Sequence, residues 1–149
     1  KIMKIFSILI ILCFWTVYIH CAELCGPRSC APGLFCCSDD KSAICKPIAQ
    51  AASLVTFNLT VDGKWTDSAQ FIGYIKNVSG RRISKITLNA VGFVLLKPSS
   101  IWNAKYTETI NEIYIPDFQD GLPAFQTYSF GFISSKLEKP PITIKSVMF

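Results

Sequence analysis

LVTFNLTVD, residues 54–62, decides the fold. Val55, Phe57, Leu59 and Val61 alternate with Thr56, Asn58 and Thr60. A period of two sends the apolar side chains to one face and the polar ones to the other, which predicts a strand buried on one side. Asp62-Gly63 ends it with turn chemistry.

The same signals recur downstream. FIGYIKNV, residues 71–78, is rich in aromatic and β-branched side chains and stops at Ser79-Gly80. In residues 83–91, Ile86, Leu88 and Ala90 face one way and Thr87 and Asn89 the other. Residues 93–96 continue or restart that strand after Gly92. Further strands are predicted at 110–115, closed by Pro116-Asp117, at 126–133, with Tyr128, Phe130 and Phe132 on one face, and at 142–148. No segment carries a 3.6-residue period. Short strands separated by Gly, Pro, Asn and Asp predict an all-β fold, an antiparallel β-sandwich over residues 54–149.

Upstream the chemistry changes. IAQAAS, residues 48–53, reads as a plain linker. Residues 23–47 hold Cys25, Cys30, Cys36, Cys37 and Cys45 but few aliphatic side chains, so they cannot build a core of their own. Such spacing predicts a disulfide-rich segment. Zinc would need Cys-x-x-Cys or a nearby histidine, and no metal or other cofactor is expected. Five is an odd count. Either Cys21 is retained and six remain, or one thiol is free or pairs with another chain.

Residues 1–22 place Lys1 and Lys4 before an apolar run from Ile5 to Ile19 and a small residue at Ala22. This predicts a secretory signal peptide, hence a secreted, extracellular protein with no membrane segment after cleavage. Lys1 and Lys4 leave with it, and the formal charge falls from +5 to about +3. Arg81-Arg82 is the one basic pair in the mature chain, so nucleic acid is not an expected partner. Asn58-Leu-Thr60 and Asn77-Val-Ser79 are candidate N-glycosylation sites.

Several aromatics fall outside the alternating sets. Trp65 follows a turn in DGKWTDS, Trp102 lies in KPSSIWNAKY, and Phe118 lies in YIPDFQDGLP. Position alone allows two uses: closing the ends of a sandwich core, or stacking outward on the apolar face of a sugar ring. Tyr114 and Tyr106 are further candidates. Catalysis finds no support. The acids lie mostly beside turns, His20 leaves with the signal, and no nucleophile and base can be paired.

Trp65-Thr66, FIGYIKNVSGRRISKITL, Trp102 and LPAFQTYSFGFI occur in the order of the family-49 carbohydrate-binding modules, which residues 54–149 resemble. Such modules are found at the end of some plant endoglucanases and in secreted proteins of cellulose-making amoebae. The resemblance implies a β-sandwich that binds cellulose or a related β-glucan through surface aromatics, here Trp65, Trp102 and Phe118. Phe118 stands where the family usually has Trp, and GFVLLKPSS before Trp102 differs from the family's shorter loop. CGPRSCAPGLFCCS resembles the opening of hevein-type chitin-binding domains, and CAPGLFCC half a granulin repeat. The aromatics that hold sugar in hevein-type domains are missing from DDKSAI. The expected function is therefore a non-catalytic polysaccharide binder of a matrix or coat. The alternatives are a module whose cysteine-rich head binds a protein, and a non-catalytic regulator of a cellulase.

Overall fold

A computed structural model describes residues 23–25, 28–31, 33–39, 41–116 and 119–149. The predicted signal peptide and Cys21 lie outside the described residues.

Twelve strands are described: β1 (Glu23–Cys25), β2 (Arg28–Cys30), β3 (Leu34–Ser38), β4 (Ala43–Pro47), β5 (Val55–Lys64), β6 (Ala69–Asn77), β7 (Lys85–Asn89), β8 (Ile101–Trp102), β9 (Lys105–Thr107), β10 (Glu112–Tyr114), β11 (Thr127–Ser134) and β12 (Thr143–Met148). Two sheets face each other. One runs β5-β6-β11-β8, and the other runs β4-β3-β12-β7-β10-β9, with β1-β2 as a separate hairpin.

Alternation builds the core as predicted except at Val61, which stays 44% exposed beside a β-bulge. Val55 and Leu59 of β5, Phe71 and Ile75 of β6, and Phe130 and Phe132 of β11 are buried on the inner face of the first sheet. Ile86, Leu88, Ile113, Ile144 and Val147 answer from the second. Rings knit the layer: Phe71 stacks on Phe132 at 5.3 Å, and Phe93 meets Phe132 edge-on at 4.7 Å. Gly73, paired with Phe130, leaves the space that ring fills; a Cβ there would fall 2.7 Å from its Cε1.

The cysteine-rich segment does more than decorate the sandwich. Its strand β3 pairs in parallel with β12, through Ser146 with Cys36, Val147 with Cys37 and Met148 with Ser38. Phe35, on β3, is fully buried in the common core. Residues 48–53 form a 3-10 helix with Ala51 buried. Disulfides join Cys25 to Cys36 and Cys30 to Cys45, stapling β1-β2 over the β3-β4 hairpin. Cys37, expected within this framework, carries a free thiol instead. Its partner in register is Val147, which is buried, so its side chain points toward the core and away from the two disulfides.

Candidate functional site: the outer face of the four-stranded sheet

The inward set on β6 is Ala69, Phe71, Gly73, Ile75 and Asn77, so Gln70, Ile72, Tyr74 and Lys76 point outward. Registered residues share a face. One outward row therefore reads Thr60, Ile72, Gly131 and Trp102 across the four strands. The row beside it reads Asn58, Tyr74 and Ser129. Beyond a β-bulge after Val61, Gly63 pairs with Gln70 on the same face.

Trp102 lies down on this surface. A Cβ added to its partner Gly131 would fall 2.1 Å from Cζ2 and 2.3 Å from Cε2 of the indole. The ring thus covers the glycine backbone, and the residue keeps 38% of its surface open. Its neighbours hold it there. Ile101 packs against the core, the amide of Ile133 donates to Ser100 O, and Tyr128 Oη donates to Asn103 O at 2.7 Å. Asn103 turns the chain back with φ 57°, a conformation asparagine tolerates. Burial pushes the Tyr128 phenol up from its ordinary value, which keeps it a donor.

Trp65 joins the same face from the other edge. Its amide donates to Ser68 O in the β5-β6 turn, and its Cη2 lies 3.4 Å from the Cβ position of Gly63. At 54% exposure it is more open than Trp102. Gly63 and Gly131 lie two strand spacings apart across the sheet and two residues apart along it, about 12 Å in all. Tyr74, 40% exposed, sits between those strands. Three exposed rings on one sheet face offer apolar surface to a ligand, with polar Thr60, Asn58 and Ser129 among them.

The other predicted site residues fall elsewhere. Tyr114 is on β10, and its neighbour Ile113 fills the core, so its ring lies on the far side of the molecule, 6.0 Å from Lys105 Nζ. It does not join Trp65 and Trp102. Tyr106 closes the core against Phe93 at 4.7 Å. Phe118 lies outside the described residues. Asn58 is exposed on the outward face. Asn77 is a correction. It is fully buried, and its Nδ2 donates to the carbonyls of Arg81, Leu122 and Pro123 at 2.8–3.0 Å. Its Oδ1 accepts from Ser79, so no glycan fits on that nitrogen in the folded protein. Tyr74 was missed, although it stands out of phase with Phe71, Gly73 and Ile75, and that alternation could have marked it.

Four of the described acids, Asp39, Asp62, Asp120 and Glu112, serve local structure. The backbone amides of Lys41 and Ser42, the Ser42 hydroxyl and Arg81 hold the Asp39 carboxyl below its usual value. Asp62 accepts from Gln70, Asp120 pairs with Arg82, and Glu112 pairs with Lys145. Among the described residues no helix is long and apolar enough to cross a membrane.

A β-sandwich presenting aromatic rings on one sheet has the form of a carbohydrate-binding module. The chain belongs to the family described as carbohydrate binding domain CBM49, which matches residues 55–136. It is similar to Stalk-specific protein A of Dictyostelium discoideum, 27% identical, with 84% of this chain and 85% of that protein covered. In fold it is similar to a GH20 exo beta-N-acetylglucosaminidase from Vibrio harveyi, with a TM-score of 0.50 and 15% identity. That likeness covers 64% of this chain and spans only 18% of the enzyme. The chitin-binding domain of Chi18aC from Streptomyces coelicolor is 19% identical over 59% of this chain and 86% of that domain, with a TM-score of 0.46.

Proposed function

We propose that the protein is a secreted, non-catalytic module that binds cellulose or a related β-glucan on the outer face of β5-β6-β11-β8. The carrying observation is the indole of Trp102, seated over Gly131 on the outer face and still 38% exposed. A ring held flat has already given up its rotamer freedom, so stacking a sugar on it costs little further entropy. β-Linked glucan rings present apolar C–H faces that match it, and hydroxyls at their rims meet Thr60, Asn58 and Ser129. The acids named above are committed to turns and ion pairs, which supports a binder over a hydrolase. A relative named for a stalk suits a matrix or coat.

The test is co-sedimentation of residues 23–149 with microcrystalline cellulose, with chitin in parallel. Wild type pellets with cellulose. Trp102→Ala and Trp65→Ala, still folded by circular dichroism, lose about fivefold or more in affinity, since stacking on a ring is worth roughly 1–3 kcal/mol. Wild type left in the supernatant, or mutants that pellet equally, would overturn the reading.

A further inference from the structure

The two sequons have opposite fates in this fold. Asn77 is spent on three backbone carbonyls. Asn58 is exposed, on an edge strand, with Thr60 two residues on and pointing the same way. Asn58 is also the registered partner of Tyr74, and Thr60 heads the row that ends at Trp102. Directly opposed side chains on paired strands lie about 5 Å apart at Cβ, and neighbouring rows about 7 Å apart. A sugar attached at Asn58 Nδ2 therefore stands beside the Tyr74 ring, one row beyond Trp102 and two rows beyond Gly63 and Trp65, and its outer sugars reach back over that face.

We propose that Asn58 is N-glycosylated, and that its glycan occupies the aromatic face so that the occupied glycoform is closed to polysaccharide. This rests on the binding reading above and adds its regulation. The donor is a lipid-linked oligosaccharide diphosphate of the secretory pathway. Asn58 Nδ2 forms a bond to the anomeric carbon of the first sugar, and the bond from that carbon to the phosphate oxygen breaks. The lipid diphosphate leaves and takes up the proton that Nδ2 gives up. The product is an amide-linked oligosaccharide tethered where a free glucan chain would have to lie. A tethered ligand competes at an effective concentration in the millimolar range, above what a soluble sugar would normally reach. The branches beyond the first sugar add bulk over a face that works only if it can lie against something flat. The proportion of chains carrying the glycan then sets how much of the protein can bind.

The full chain is expressed in a secreting eukaryotic host as wild type, with Asn58→Gln and Thr60→Ala as controls for glycan occupancy alone, and wild type is also prepared without glycosylation from a bacterial host. Peptide mass spectrometry reads glycan occupancy at positions 58 and 77, and cellulose co-sedimentation reads binding. The expected result is a glycan at 58 and none at 77. The glycosylated wild type then binds at least about tenfold more weakly than the unmodified wild type. An unoccupied Asn58, or glycosylated and unmodified protein pelleting alike, overturns the proposal and leaves the binding face standing. If unmodified wild type fails to bind cellulose and chitin, the aromatic-face reading fails and the proposal falls with it.

Discussion

The flatness of one ring depends on one missing methyl. Gly131 is the residue under Trp102, and any Cβ there overlaps three indole atoms. The indole would have to lift off the sheet or rotate away, while Phe130 and Phe132 on either side still face the core. Gly131→Ala is therefore expected to weaken cellulose binding by severalfold or more at little cost in stability, because alanine suits a strand better than glycine does. Equal binding by wild type and Gly131→Ala in a depletion isotherm would show that the ring need not lie flat. Tyr128 supports the same ring from below through Asn103 O. Its folded-state pKa is raised by burial above the ordinary 10.0, so above that value the folded protein holds more protons than the unfolded chain. Stability is then full below about pH 10 and declines as pH rises from there through the folded-state value. Tyr106, also raised by burial and by Glu108, adds to the decline. Urea midpoints from about pH 8 to 11 should fall, and less steeply in Tyr128→Phe, which also loses about 1 kcal/mol at neutral pH with its hydrogen bond.

At the scale of elements, the strands with clean alternation were legible in the sequence. Val55, Leu59, Phe71, Ile75, Phe130 and Phe132 all point where a period of two sends them. Short strands were not. Ile101–Trp102 is two residues long, too short to show a period, and its place is set by pairing with Gly131 and Phe132 thirty residues away. Residues 93–96 looked like a strand, yet Leu95 makes only an isolated bridge to Ser134. The role of β3 was hidden for another reason. Its burial comes from a parallel pairing with β12, more than a hundred residues later, and local pattern carries no trace of such a contact. At the site, Trp65 and Trp102 could be named from their odd positions, but that they share a face with Tyr74 follows from register alone. The head hairpin β1-β2 is tied on by two disulfides that close loops of 11 and 15 residues. Both bonds use the face of β3-β4 that points away from the core, on the sheet opposite the aromatic one. The double mutant Cys25→Ser, Cys30→Ser should therefore release residues before Leu34 to protease and lower stability by about 2–4 kcal/mol per bond lost at most. Cellulose retention by the protein that stays folded should not change. A loss of retention at intact fold would move the binding site toward the cysteine-rich head.

For the whole molecule, the family match and the folding unit have different borders. The match ends at residue 136 and begins at 55, yet β12 at 143–148 and β3 at 34–38 complete the second sheet. Without the head, a chain of residues 54–149 loses Phe35 from the shared core and strips the partner from one side of β12. Removing a buried phenylalanine costs about 3–5 kcal/mol, a large share of the roughly 5–15 kcal/mol that holds a domain folded. The bared edge carries Val147, which is buried in the intact protein, and an open edge of this kind invites pairing with a second copy. Residues 54–149 are thus expected to melt well below residues 23–149 and to elute partly as dimers or larger species in gel filtration. Phe35→Ala in the longer chain separates the two causes: it should lower the melting temperature but leave the protein monomeric, since β3 still covers β12. If residues 54–149 stay monomeric and melt with the longer chain, the parallel strand contributes nothing to the sandwich. The cysteine-rich segment would then be an attachment that the binding domain can shed, rather than the strand that closes its second sheet.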